Sequence, residues 1–121
     1  MDKCVLCNPE EVILENRLAW VKYDKYPVTP GHMLIISKRH IADFFAATAE
    51  ERQALNSLLD EARQWLEDKF HPDGYNIGVN CGESAGQTIM HLHIHLIPRY
   101  HGDLDNPRGG VRGVIPEKRI Y

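Results

Sequence analysis

Residues His91 to Arg99 read HLHIHLIPR, three histidines at alternate positions with Leu92, Ile94 and Leu96 between them. Successive side chains of a β-strand point to opposite faces. A strand here puts His91, His93 and His95 on one face and turns the three aliphatic residues to the core, whereas a helix would scatter both sets. Alternate strand residues lie roughly 7 Å apart and the outer pair roughly 13 Å apart. Neighbouring histidines can share a ligand, but all three can hardly share one metal. The strand must divide its histidines between at least two roles.

Immediately upstream, Asn80 to Gln87 is a glycine-containing loop that brings Asn80, Gln87 and Thr88 ahead of the histidines. Its glycines at 82 and 86 let backbone approach a phosphate closely. A neutral imidazole is a fair nucleophile toward phosphorus: attack on an α-phosphate gives a phosphoramidate that water later cleaves, splitting one hard displacement into two. Such a ring needs one nitrogen free and the other held by an acceptor, with donors nearby for the charge that builds on the phosphoryl oxygens. Flanking histidines and amides supply donors of that kind.

Further from the histidines, Val12–Leu14 and Leu18–Tyr23 read as two short strands joined by a turn at Glu15-Asn16-Arg17. Pro27 and Pro30 break that pattern, and Gly31 introduces His32-Met33-Leu34-Ile35-Ile36, a short apolar central strand followed by Lys38, Arg39 and His40. From Thr48 the period changes, and Leu55, Leu58, Leu59, Ala62, Trp65, Leu66 and Phe70 fall on one face of a helix. Thr48 and Glu51 give it a capping box and His71-Pro72-Asp73-Gly74 ends it. Tyr75–Val79 reads as a fourth strand and Thr88–Ile97 as the histidine strand. The stretch from His101 to Tyr121, rich in Gly, Pro and charge, is expected to be loop or extended arm, with Val111–Ile115 a candidate for strand pairing. Strands in two runs around one long helix indicate an α+β fold with a mostly antiparallel sheet.

At 121 residues the chain is expected to be a single domain, 1–121, with 101–121 as its C-terminal arm. Fourteen Lys and Arg against 17 Asp and Glu give a net charge of -3 without a run of one sign, which argues against a nucleic-acid or membrane footprint but leaves room for a small polyanion. No apolar run approaches the ~18 residues of a membrane span, and the start MDKCVLCNPE has no signal-peptide core, so the expected location is the cytoplasm. Three cysteines are too few for a disulfide framework and point to a reducing compartment. Cys81 has no neighbour in sequence that would activate it and is given no role.

HLHIHLI resembles the alternating His signature of the histidine triad (HIT) family of nucleotide hydrolases and transferases. ESAGQTIMHLHIHLIPR is similar to the fragile-histidine-triad branch and TPGHMLIISKRHI to the strand shared with the Hint-like branch. The resemblance implies a HIT-like fold: about five strands, one long and one short helix, and a homodimer that continues one sheet into the other. It implies that His93 is the nucleophile of a covalent nucleotidyl-histidine intermediate, flanked by His95 and His32, which bind phosphate and order protons. Gln87 and Thr88 match side-chain contacts to the phosphates and leaving group, and Asn80 matches an asparagine of Hint-like members. Asp24, eight residues before His32, matches the residue on the ribose hydroxyls. Each has a plainer alternative, Asp24 as a turn residue and Asn80 as a partner of its own loop.

Cys4 and Cys7 form a CxxC without the preceding strand of a thioredoxin-type redox motif. Structural zinc takes four N or S ligands in a closed tetrahedron. By resemblance to zinc-binding histidine triad proteins and galactose-1-phosphate uridylyltransferases, His40 and His91 complete the set. The alternative is two reduced thiols near the surface.

The expected activity is hydrolysis of dinucleoside polyphosphates, such as diadenosine tetraphosphate, or of nucleoside phosphoramidates, releasing a nucleoside monophosphate. By the resemblance, His95 favours hydrolysis, since related transferases and phosphorylases often carry Gln there. Two other classes stay open: a zinc metallohydrolase using His91 with His93 or His93 with His95, and a nucleotide-binding module without catalysis. Trp20 and Tyr23 could line a base pocket or simply pack, and Arg108 and Arg112 could reach a polyphosphate or simply face water.

Overall fold

The computed structural model describes residues 4–121. Among the described residues five strands form one sheet: β1 (Leu14–Glu15), β2 (Ala19–Tyr23), β3 (Met33–Ser37), β4 (Gly74–Gly78) and β5 (His93–Arg99). The spatial order is β1-β2-β3-β5-β4 and every pairing is antiparallel. β5 is last in the chain yet lies between β3 and β4, so the histidines sit well inside the sheet. Ile36 pairs with His93, and Leu34 and Gly78 flank His95.

One helix, α1 (Ala49–Phe70), covers one face of the sheet. It begins where expected: Thr48 Oγ1 accepts from the Glu51 N–H at 3.1 Å while Glu51 Oε1 accepts from the Thr48 N–H at 2.9 Å. It ends at His71, whose left-handed backbone (φ 50°) turns the chain before Pro72. The spacing of Leu55, Leu58, Ala62 and Leu66 gives α1 one apolar stripe. That stripe buries against Ala19, Val21, Met33, Ile35, Ile94 and Leu96. Each of the Leu, Ile, Val and Met side chains there, removed from water, contributes about 1.5–3 kcal/mol.

Trp20, Leu34 and Ile36 point to the opposite face, where Leu6 packs on them. Trp20 is fully buried in that cluster, and Tyr23 accepts a hydrogen bond from Trp65 Nε1 at 2.8 Å, so both aromatics have packing roles. Gly31, at φ 90°, lies where a Cβ would come within 3.0 Å of Leu66, which explains a glycine at the entry to β3. Asn16 closes the β1–β2 turn by accepting from the Leu18 and Ala19 N–H groups.

Two expectations are corrected. The histidine strand starts at His93, not Thr88: Ile89–His91 make a tight turn, and Leu92 donates to the Ile41 carbonyl outside the ladder. Residues Val111–Ile115 do not pair as a strand. Gly110–Val114 and Pro116–Lys118 are short 3-10 helices, a conformation favoured by Gly109, Gly110 and Pro116. Among the described residues no helix is long and apolar enough to cross a membrane.

Candidate active site and metal centre

The face away from α1 carries His93 and His95, both half-buried, and the buried His32, which enters β3 beside them. The His93 and His95 rings stand edge to face with centroids 5.3 Å apart. Their hydrogen bonds fix the tautomers. His93 Nδ1 lies 2.7 Å from the His91 carbonyl oxygen and must donate to it, so Nε2 of His93 carries the free lone pair. The Val28 N–H donates to His32 Nδ1 at 3.0 Å, which puts the His32 proton on Nε2. That N–H faces His95 Nδ1 at 2.9 Å, leaving Nε2 of His95 as a donor.

Asp24 joins this pair from the β2 side. Its Oδ2 is 3.4 Å from His32 Nε2 and 3.9 Å from His95 Nδ1, while Oδ1 accepts from the Tyr26 N–H. The carboxylate is thus both a turn residue and a neighbour of the histidines. Burial pushes His32 below the ordinary histidine range, opposed by Asp24; His95 is lowered by burial and by His93 and His32. Both rings are therefore held neutral, in keeping with the hydrogen-bond chain.

The loop ahead of the histidines behaves differently from its expected role. Gln87 is buried, its amide donating to the Ala42 and Ile89 carbonyls and its oxygen accepting from the Gly82 N–H. It ties the loop to the segment at Ala42 instead of facing the histidines, because two backbone groups of the turn and the Ala42 carbonyl need partners. Thr88 is exposed, and Asn80 borders a cavity that also touches His32 and His95.

A second cluster forms where the N-terminal segment meets the start of β5. Ligand atoms of Cys4, Cys7, His40 and His91 all lie within 4.8 Å of one another. His91 Nδ1 is 3.3 Å from Cys4 Sγ, 3.6 Å from Cys7 Sγ and 3.2 Å from His40 Nδ1, and Cys7 Sγ is 3.1 Å from His40 Nδ1. A tetrahedral ion with bonds of about 2.0–2.3 Å requires ligand separations of about 3.3–3.8 Å. The four side chains come close to that spacing.

His91 Nε2 donates to the Ser37 carbonyl at 2.7 Å, which leaves the Nδ1 lone pair turned to the cluster. Desolvation and the adjoining Cys4 sulfur push the Cys7 thiol upward, so its sulfur is poorly disposed to ionise without a cation beside it. The donor set fits a thiophilic metal. His91 is fully buried and sits just ahead of the strand that presents His93 and His95.

Sequence reading did not find the groups that set these tautomers: the Val28 N–H and the carbonyls of Ser37 and His91. Backbone groups carry no side-chain signature. It also left unplaced Val111 and Val114 of the arm, which lie beside His32 and His95.

A histidine-lined sheet face opposite one long helix, with a Cys/His cluster at its edge, defines the class of small α+β domain to which the protein belongs. A family model described as HIT domain matches residues 6–102, and the chain belongs to that family. It is 33% identical over 101 residues to the bis(5'-adenosyl)-triphosphatase of Dictyostelium discoideum, covering 84% of this chain and 68% of that protein. It is 31% identical over 93 residues to the AP-4-A phosphorylase of Mycobacterium tuberculosis, covering 76% of this chain but only 48% of that relative's length. A solved HIT family protein from Bacillus anthracis superposes with a TM-score of 0.78 at 35% identity, covering 84% of this chain and 77% of that one. A Zn-bound histidine triad family protein from Mycobacterium smegmatis gives a TM-score of 0.75 at 32% identity, covering 83% and 77%.

Proposed function

We propose that the protein is a nucleotidyl hydrolase acting on dinucleoside polyphosphates or nucleoside phosphoramidates through a covalent intermediate on His93. The observation that carries this reading is the pair of opposed tautomers: a free lone pair on His93 Nε2 beside an outward N–H on His95. The relatives named for bis-adenosyl triphosphate and AP-4-A support the substrate class.

The His93 Nε2 lone pair forms the bond to the α-phosphorus, and the bond to the leaving group breaks with its electron pair going to that group; a polyphosphate departs as the anion, and the nitrogen of a phosphoramidate takes a proton from solvent and departs as the neutral amine. The positive charge on the ring is stabilised through the hydrogen bond from Nδ1 to the His91 carbonyl. His95 Nε2 donates to a phosphoryl oxygen. Water then attacks phosphorus, the P–N bond breaks with its pair returning to His93, and the water's proton passes to solvent. Asp24 orients the ribose as well as the His32–His95 pair, and Asn80 and Thr88 approach the leaving side. Gln87 supports the loop that carries them.

A zinc ion held by Cys4, Cys7, His40 and His91 is structural in this reading; it ties the N-terminal segment to the start of β5. A metallohydrolase reading has one geometric foothold, the grouping of Asp24, His32 and His95. Ligation through His32 Nε2 would move its proton to Nδ1, directly against the Val28 N–H. The covalent reading is preferred for that reason. The whole chain is read as one domain with the arm from 101 onward folded onto it.

Intact mass measurement of enzyme quenched during turnover tests the proposal. A nucleoside monophosphate adduct is expected on the wild type and not on His93→Ala, whose turnover should fall more than about 10⁴-fold. Near wild-type turnover by His93→Ala on both a phosphoramidate and diadenosine tetraphosphate would sink it. Release of a nucleoside diphosphate when inorganic phosphate is supplied would instead mark phosphate as the acceptor.

A further inference from the structure

The turn between β2 and β3 meets the end of β5 through two hydroxyl groups. Thr29 is buried, and its Oγ1 donates to the Pro98 carbonyl at 2.6 Å. The half-buried Tyr100 donates from its OH to the Pro30 carbonyl at 2.7 Å. We propose that Thr29 and Tyr100 are positioning residues for the reaction above: they clasp the 28–31 turn to β5, and through the Val28 N–H and His32 they set the proton that His95 presents to the phosphoryl group. The inference rests on the covalent reading of His93.

The backbone explains why side chains make this link. Met33 of β3 pairs with Leu96 of β5, and the same register carried back two residues sets Gly31 against Pro98. Gly31, at φ 90°, leaves the extended region and the ladder stops there. Neither Pro30 nor Pro98 has an N–H to extend it. The Asp73 N–H donates to the Arg99 carbonyl on the β4 side, so the Pro98 carbonyl, one residue earlier, points to the side of the turn. Pro98 is buried, and a buried carbonyl needs a donor; the Thr29 hydroxyl supplies one where the ladder has ended.

The turn is also closed on itself. The Asp24 N–H donates to the His32 carbonyl at 2.8 Å, the His32 N–H to the Thr29 carbonyl at 3.2 Å, and the Val28 N–H to His32 Nδ1 at 3.0 Å. Thr29 therefore stands between the N–H that chooses the His32 tautomer and the strand that carries His95.

The choice of tautomer falls to that N–H. Asp24 Oδ2 faces both nitrogens of the His32–His95 hydrogen bond, at 3.4 and 3.9 Å, and favours a proton between the rings whichever ring carries it. With the proton on His32 Nε2, His95 Nδ1 accepts and its Nε2–H points outward. With the proton on His95 Nδ1, Nε2 of His95 would turn a lone pair toward the phosphoryl oxygen, and a His32 Nδ1–H would face the Val28 N–H. Two opposed donors make the second arrangement costly only while the Val28 N–H is held in place.

The test uses full-length wild type, Thr29→Val, Thr29→Ser and Tyr100→Phe. In Thr29→Val, long-range ¹H–¹⁵N spectra should show the His32 and His95 ring nitrogens shifted toward the Nδ1–H form. Its kcat on an adenosine 5'-phosphoramidate should fall roughly tenfold at little change in KM. Thr29→Ser keeps the hydroxyl and should restore both the spectra and kcat. Tyr100→Phe should move the same signals in the same direction. Wild-type ring shifts in Thr29→Val, or a loss of kcat that Thr29→Ser does not restore, would overturn the proposal. If Thr29→Val fails to fold, the Tyr100→Phe spectra take its place, and unmoved His32 and His95 signals overturn it. If wild type forms no adduct on His93, the covalent reading fails, and the ring shifts alone still judge whether the clasp sets the tautomers.

Discussion

The ring of His93 donates from Nδ1 to the carbonyl oxygen of His91, at 2.7 Å, while the ring of His91 belongs to the Cys/His cluster. One residue therefore serves two centres, the cluster through its side chain and the neighbouring imidazole through its backbone.

The tautomers that follow are directly observable. Long-range ¹H–¹⁵N spectra should show His93 protonated at Nδ1 and His32 and His95 at Nε2 near neutral pH. A His93 signal of the Nε2–H form would remove its free nucleophilic nitrogen and with it the mechanism.

Asp24 raises the proton affinity of His32 and His95 against the stronger effect of burial. Asp24→Asn should lower both histidine pKa values further, read as displaced NMR titration midpoints. The wild-type folded values lie below the 6.5 of a free histidine side chain, so these rings contribute stability that is present above that pH. The contribution is lost as pH falls from there through the folded values, because the unfolded chain takes up protons first. An upward shift of the midpoints in Asp24→Asn would contradict the assignment.

Removing the thiols of the Cys/His cluster should act on stability and on chemistry together. Cys4→Ser/Cys7→Ser should lose about one zinc per chain by elemental analysis and melt roughly 10 °C lower. It should also lose turnover, because the His91 peptide that orients His93 is no longer anchored. Retained melting temperature with zinc absent would show that the cluster does not tie the fold.

Glu51 couples the helix start to Arg39, which directly precedes His40 of the Cys/His cluster. It is buried and takes a bidentate bond from Arg39, Nε at 3.0 Å and Nη2 at 2.7 Å, as well as the Thr48 N–H. Arg39 first, then Thr48, hold its carboxyl at about 2 against 4.5 when free, with burial opposing. The depressed value means stability of about 3 kcal/mol at most, fully present above about pH 4.5 and lost as pH falls toward 2. Glu51→Gln should flatten that acid limb in denaturant titrations run from pH 7 to pH 3. A parallel offset at every pH would mean the carboxylate is not the titrating group.

β4 ends the sheet, and Ile77 on it is 51% exposed. A second copy adding its β4 there would continue the sheet, as the family resemblance implies. Ile77→Lys should convert a dimer to a monomer in sedimentation velocity, and an unaltered dimer would place the interface elsewhere.

The sequence by itself determined the elements with strong local signals. The alternation at His91–His95, the apolar stripe and capping box of α1, and the turn at Asn16 are short-range patterns, and all three carry through to the structure, with the strand start moved from Thr88 to His93. Resemblance, not spacing, joined Cys4 and Cys7 to His40 and His91. Tertiary structure decided the rest. The sheet order set β5 between β3 and β4, which brought His32 and Asp24 to His95. Carbonyls of Ser37 and His91 and the N–H of Val28 chose the tautomers, and every residue but proline carries such groups, so no sequence pattern announces them. Gln87 turned inward to satisfy its own loop, and the arm folded its valines beside the histidines. Local periodicity fixes which face a side chain takes; only long-range packing fixes which partners wait on that face.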